Sequence, residues 1–371
     1  MDIKDRTWAK ISLKNIENNF NNIKKYAKSK VLAVVKADAY GHGMIEVARA
    51  LEGQGADYFG VATALESVTL RESGIKKPIL LLGFFVDDEI QDMLENDITF
   101  TIYDVETAKT VSKIAVSLDK IAKIHIKIDS GMSRLGFKYA DDCEKQIKEI
   151  HTLPNIFIEG VFSHFAVADD DNKLDFTKKQ AQNFKNIVEN LRNDGISIEI
   201  AHISASGGLM YFPEFNFDMV RAGIILYGYY PSNILQKNIE VSPVMTLFSK
   251  IAQVKTLKTG ESVSYGLNFT AERDMKIAVV TIGYADGYFR INSNRAYFMF
   301  KGKKVNILGN ICMDMCMIDV SNVENIKKGD EIVIFGCDSG EILGADIVAD
   351  FAKTIPYEVL CAVSRRVPRV Y

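Results

Sequence analysis

Eight short runs rich in β-branched and aromatic residues punctuate the first two thirds of the chain. They are Val31 to Val35, Tyr58 to Ala62, Ile79 to Leu82, Thr99 to Tyr103, Lys123 to Ile128, Glu159 to Ser163, Ser197 to Ile203 and Asp218 to Ala222. Longer stretches with helical periodicity lie between them: Leu13, Ile16, Phe20 and Ile23 recur at spacings of three and four, as do Phe184, Ile187 and Leu191. Strands alternating with helices imply parallel βαβ units, because a parallel partner is reached only through a crossover. Eight such units in about 200 residues suit a (β/α)8 TIM barrel. A doubly wound open sheet has the same rhythm, and periodicity alone does not separate the two.

The rhythm stops near Pro231 and Pro243. Beyond it the chain reads as short strands, Met245 to Val254, Lys276 to Ile282, Lys304 to Leu308, Met315 to Val320 and Glu331 to Phe335. Turn signals such as Lys301-Gly302-Lys303 and Lys328-Gly-Asp330 separate them. The expected organisation is α/β: a TIM-barrel domain over 1–240, then a mainly β, indeed all-β, C-terminal domain over 241–371. The first ten or so residues are candidates to join the β domain.

Charge and cysteines narrow the function classes. The net charge is −3 over 371 residues, without the basic excess of a dedicated nucleic-acid binder. The N-terminal residues are charged rather than signal-like, and no apolar run approaches membrane-spanning length. Five cysteines in so long a chain fit reduced thiols and a cytoplasmic location without membrane association. Asp169, Asp170 and Asp171 read as a solvated loop, and no metal site is expected.

In a barrel, functional groups collect at the C-terminal ends of the strands. Lys36 follows the first strand, with Tyr40 and two glycines close behind; a lysine there either reaches solvent or is used chemically. Lys127 and Arg134 fall at the end of the fifth strand and His164 ends the sixth. Ser204, Ser206, Gly207 and Gly208 follow the seventh, and Arg221, Gly223 and Ile224 come with the eighth. Small residues and hydroxyls after strands seven and eight suit a phosphate. A lysine facing a phosphate cradle points to a phosphorylated cofactor held as a Schiff base, for which pyridoxal 5′-phosphate (PLP) is the candidate.

With these motifs together the chain resembles the alanine racemases, fold-type III PLP enzymes. The resemblance rests on Ala33 to Gly43, Asp129 to Gly136, Ser163 to Ala166 and Met219 to Ile224. In the second domain it rests on Val263-Ser-Tyr265-Gly, Ile282 to Gly287, Cys312-Met313-Asp314 and Pro356-Tyr357-Glu358. It spans essentially the whole chain. It implies that Lys36 bonds PLP and handles the α-proton of the D-enantiomer, while Tyr265 of a second subunit handles that of the L-enantiomer. A free tyrosine titrates near 10, so Tyr265 as a base needs help from cations, and His164 and Arg221 are the implied helpers. Arg221 is implied to contact the pyridine nitrogen, where a guanidinium disfavours a protonated ring. Arg134 is implied to orient the cofactor phenolate and substrate carboxylate. Tyr40, Ser206, Gly223, Ile224 and Tyr357 are implied phosphate ligands, Met313 a substrate contact through its backbone N–H, and Tyr284 part of the entrance. Lys127 is either a carbamylated brace for Arg134, as in some relatives, or an ordinary surface or salt-bridged lysine.

The resemblance further implies a homodimer with shared active sites, and D-alanine destined for peptidoglycan. Three positions depart from the family pattern: Ala205 stands where asparagine is usual, Asn310 where many relatives have arginine, and Pro356 where asparagine is common. Tyr357 crowds the substrate side chain, as in enzymes selective for alanine. Serine racemases and broad-specificity racemases remain rival readings, since a hydroxymethyl is hard to exclude sterically. A non-catalytic PLP carrier would lack the β domain and Tyr265.

Overall fold

The computed structural model describes residues 5–139, 142–232 and 237–371. The chain groups into two compact units, one of residues Ile16–Ala39 and Met44–Val241, the other of residues 5–15, Tyr40–Gly43 and Ser242–Tyr371. Of the first ten residues, 1–4 lie outside the described residues.

The first unit is a near-closed eight-stranded parallel barrel. Its strands are Lys30–Val34, Tyr58–Val61, Ile79–Leu81, Ile98–Ile102, Ala122–Asp129, Ile156–Phe162, Ile200–His202 and Met219–Ala222. The first seven pair each with the next, and the eighth pairs with the first, Arg221 opposite Leu32. Between the seventh and eighth, the Asp218 N–H donates to Ala201 O at 3.0 Å and the Arg221 N–H to Ser204 O at 2.9 Å. These bonds remove the open-sheet alternative. The helices form where the spacing puts them. Leu13–Ala27 buries Ile16, Phe20 and Ile23, and Leu174–Asn193 buries Phe184, Ile187 and Leu191. Val105–Ser117 is started by the Asp104 carboxylate, which accepts the Thr107 N–H.

The second unit is built on a nine-stranded sheet. Its long strand Met245–Leu257 is flanked by Met275–Val280 and by Thr7–Ile11, which pairs antiparallel with it and parallel with Arg369–Val370. A strand not anticipated, Tyr297–Phe300, returns into Lys303–Leu308 through Lys301 and Gly302, both at positive φ as a tight hairpin requires. The unit is mainly β but not all-β. Ala345–Ala352 buries Ala345, Val348, Ala349 and Ala352 on one face, and Pro356–Ala362 starts with the proline in its first turn. Both helices are too short to outweigh the surrounding strand pattern in the sequence.

Candidate active site

Lys36 opens a left-handed helical turn. Ala37, Asp38, Ala39 and Tyr40 all have φ between 52° and 54°. Four consecutive non-glycine residues in this region cost on the order of 4–8 kcal/mol, at about 1–2 kcal/mol each. Side-chain tethers hold the turn: the Ala37 N–H donates to Glu66 Oε1 at 2.7 Å and the Met44 N–H to Asp38 Oδ1 at 2.8 Å. The other Glu66 oxygen accepts the Ala62 N–H at 2.8 Å, so one carboxylate ties the ends of the first two barrel strands. Strain of this kind persists where it positions a functional group.

The barrel mouth is cationic. Lys127 is 5% exposed; its Nζ donates to Ile128 O at 3.1 Å and lies 5.1 Å from the centre of the Phe162 ring. Burial, then the charges of Arg221 and Arg134, lower its ammonium from 10.5 to about 7 against the pull of Asp129. The reading of Lys127 as a surface lysine therefore fails. Burial raises Asp129, but the N–H groups of Gly131, Met132 and Ser133, all donating to Oδ1, and Lys127 hold it below the ordinary value. Arg134, on the loop this carboxylate organises, is exposed.

Arg221 is buried, and burial together with Arg134 lowers it to about 9, so it remains cationic at neutral pH. It donates to two imidazole nitrogens, His202 Nδ1 at 2.8 Å and His164 Nδ1 at 2.9 Å, and to the carbonyls of Ser163, His202 and Ile203. None of these acceptors is a carboxylate. Among the described residues no acceptor meets its Nε–H, which leaves one donor for a ligand. His164 is pushed well below 6.5 by burial, then by Arg221, Lys127, Arg134 and Lys36. It is neutral, which corrects its expected role as a cation. Because Nδ1 accepts from Arg221, its proton sits on Nε2.

The two serines after the seventh strand divide their roles. Ser204 Oγ donates to Phe215 O at 3.0 Å, whereas Ser206 Oγ accepts the Gly223 N–H at 3.2 Å. Ser206 thus joins Gly223 and Ile224 in one place, with its own O–H available to donate. The small residue at Gly208 is required, since a Cβ there would lie 2.8 Å from Ser204 Oγ and 2.9 Å from Phe165.

The second unit assembles the other expected residues. Asn310 Nδ2 donates to Tyr265 O at 2.6 Å, and Ser264 Oγ donates to Asn310 O at 2.5 Å. The Tyr284 N–H donates to Cys312 O and the Ala285 N–H to Met313 O. These bonds hold the segments carrying Tyr265, Tyr284 and Met313 together. Tyr265 is 72% exposed and Met313 53%. Tyr40 and Tyr357 lie with ring centres 6.0 Å apart, their planes tilted by 44°. Burial, then Tyr357 and Cys361, push the Tyr40 hydroxyl above its ordinary range.

Comparison with known proteins decides the family. Residues 11–231 match the model described as alanine racemase, N-terminal domain, and residues 244–371 match alanine racemase, C-terminal domain. The chain belongs to the alanine racemase family. It is 42% identical to the alanine racemase of Clostridium novyi, covering 98% of this chain and 95% of that one. It is 44% identical to that of Methanococcus maripaludis, covering 98% of each. Its fold matches the alanine racemase of Clostridium difficile 630 with a TM-score of 0.95 at 45% identity, covering 100% of this chain and 96% of that one. It matches the Bacillus anthracis alanine racemase solved with bound L-Ala-P with a TM-score of 0.92 at 31% identity, with the same coverage. The chain is accordingly an amino-acid racemase, an isomerase.

Against this family the departures acquire local explanations. Asn310, in place of arginine, supplies the amide that holds the Tyr265 carbonyl. Pro356 occupies the first turn of the helix carrying Tyr357, where no N–H is needed. No hydrogen bond explains Ala205. Sequence reasoning missed Glu66, His125, Glu159 and His202. The polar His125 and His202 inside otherwise apolar strands were the available signal.

Proposed function

We propose that the chain interconverts L- and D-alanine with PLP as cofactor, using Lys36 and Tyr265 as bases on opposite faces of the substrate. The unpartnered Nε–H of Arg221 carries the cofactor assignment: it suits a neutral pyridine nitrogen, which accepts one hydrogen bond. The donor set fits the rest of the group. Lys36, Arg134 and Arg221 give the barrel mouth an excess of positive charge, as an anionic cofactor and a substrate carboxylate require.

When bound, PLP withdraws electrons from the α-carbon and so acidifies its C–H. Lys36 Nζ would hold the cofactor and, once released, take or return the proton on the D face. The Tyr265 hydroxyl of a second copy would do so on the L face. His164 Nε2–H, backed by Arg221, would stabilise the tyrosinate by donating to it, replacing the expected help of a second cation. Ser206, Gly223, Ile224, Tyr40 and Tyr357 would hold the phosphate. Arg134 and the Met313 N–H would orient the carboxylate, and Tyr284 would narrow the entrance. Lys127, buried and with a lowered ammonium, is suited to react with carbon dioxide and brace Arg134 as a carbamate.

The exposure of Tyr265, Leu267, Met313 and Met315 supports a homodimer with shared sites. No described helix is long and apolar enough to cross a membrane, and a cytoplasmic enzyme supplying D-alanine to peptidoglycan is the role we assign. The test is direct. Lys36→Ala should lose both the visible absorbance of the bound cofactor and nearly all turnover of L-alanine, and retained racemisation would refute the assignment. Steady-state rates on L-alanine, L-serine and L-lysine decide between the alanine reading and a broader one.

A further inference from the structure

The interior of a TM barrel is ordinarily filled by branched apolar side chains. Here a polar column crosses it. Tyr58, the first residue of the second strand, donates to Glu159 Oε2. His125 Nε2 lies 3.1 Å from the same oxygen, His125 Nδ1 lies 2.9 Å from His202 Nε2, and His202 Nδ1 lies 2.8 Å from Arg221. Both histidines and Arg221 are buried. The column is built in. Gly160 faces His125 across the strands, and a Cβ there would fall 2.7 Å from the imidazole and 2.8 Å from Ile200 O. The Phe162 ring stacks on His202 at 4.8 Å between centres and lies 5.4 Å from the Arg221 guanidinium.

The protons in this column have one consistent arrangement. Arginine can only donate, so His202 Nδ1 accepts and its proton is on Nε2. That N–H donates to His125 Nδ1, which places the second proton on His125 Nε2 and points it at Glu159. A carboxylate accepts both this N–H and the Tyr58 O–H. Burial raises Glu159, but these two hydrogen bonds bring it below its ordinary value. Burial and the charge of Arg221 keep His202 neutral. Reversing either imidazole would set N–H against N–H.

We propose that Tyr58, Glu159, His125 and His202 form a positioning relay for Arg221, in which Arg221 sets one tautomer in each imidazole and the Glu159 carboxylate, as the acceptor that ends the row of N–H groups, holds both rings and so the orientation of the guanidinium at the barrel mouth. Glu159 is thus a positioning residue for racemisation, acting through three others. Its catalytic consequence rests on the function proposed above; the tautomers do not.

The chain has five histidines, few enough for selective 15N-imidazole labelling of the protein as isolated. In the wild type, His125 and His202, like His164, should each show a single neutral tautomer protonated on Nε2. Glu159→Met removes the acceptor while keeping the bulk. It leaves the His125 Nε2–H without an acceptor, so both rings should lose their fixed orientation, shifting and broadening the His125 and His202 nitrogen signals together, and kcat should fall by about tenfold or more, with KM moving far less. Glu159→Gln, whose carbonyl oxygen still accepts, should restore the wild-type nitrogen signals and most of kcat. Wild-type His202 protonated on Nδ1, or a Glu159→Met protein with unchanged imidazole signals and unchanged kcat, would overturn the relay. If Glu159→Met does not fold, wild type and Glu159→Gln decide: one shared Nε2–H tautomer supports the relay, and mixed states refute it. A single-tautomer protein without alanine turnover would fault the proposed function alone, whereas turnover with mixed tautomers would fault the relay alone.

Discussion

Replacing Lys127 by methionine should stabilise the protein at neutral pH. The buried ammonium is lowered from 10.5 to about 7. The unfolded chain therefore holds this proton between about pH 7 and 10.5 and the folded chain does not. Stability rises with pH across that window, and the penalty is fully present below about 7 and absent above 10.5. At 1.36 kcal/mol per pH unit the penalty at pH 7 has an upper bound of roughly 4 kcal/mol, which relaxation of the interior reduces. Against it stand a cation–π contact with Phe162, worth about 1 kcal/mol, and the bond to Ile128 O. That carbonyl keeps a second donor, Ser163 Oγ at 2.8 Å, so Lys127→Met leaves no orphan acceptor. The net gain is about 1–2 kcal/mol, or roughly 2–8 °C in thermal midpoint for a barrel of this size. Scanning calorimetry in buffer free of carbon dioxide should show this at pH 6.5 and lose more than half of it by pH 9.5. An Lys127→Met variant less stable than wild type, or with an advantage independent of pH, would refute the reasoning.

Other substitutions separate positioning from packing. Gly136 sits at φ 134°, where a Cβ would lie 2.6 Å from the Asp129 N. Gly136→Ala should therefore cost about 2 kcal/mol or more by urea unfolding and lower racemase activity through the displaced Arg134 loop. Glu66→Ala frees the strained turn after Lys36 and should lower the rate of cofactor binding to Lys36, read as the growth of visible absorbance, more than it lowers the thermal midpoint. Asp286 is buried between Arg6 at 2.9 Å and Arg366 at 2.7 Å and accepts the Gly283 N–H. Asp286→Asn should destabilise by about 1–3 kcal/mol in urea, with the loss shrinking in high salt. Tyr265→Ala should remove the solvent isotope effect on L-alanine turnover while leaving the sedimentation coefficient unchanged.

Much of this protein is local information. The barrel strands and the amphipathic helices follow from side-chain period and propensity, which act within ten or so residues; that is why Ile16, Phe20 and Ile23 are buried where their spacing puts them. Strand-end positions exposed Lys36, His164, Ser206 and Arg221 as candidates for the same reason. Contacts between distant segments were not local. Closure of the sheet depends on backbone bonds from Asp218 and Arg221 to residues of the seventh strand and the loop after it. The left-handed turn has no glycine between Lys36 and Tyr40 to announce it, and it exists because Glu66 and Asp38 hold it. His164 looked like a cation until its burial beside Arg221 and Lys127 made it neutral. His125 and His202 stand out as polar residues in apolar strands, but their linkage to Glu159 is not legible in the sequence: hydrogen-bond direction and electrostatic burial depend on distances across the barrel, and those are set only when the strands close.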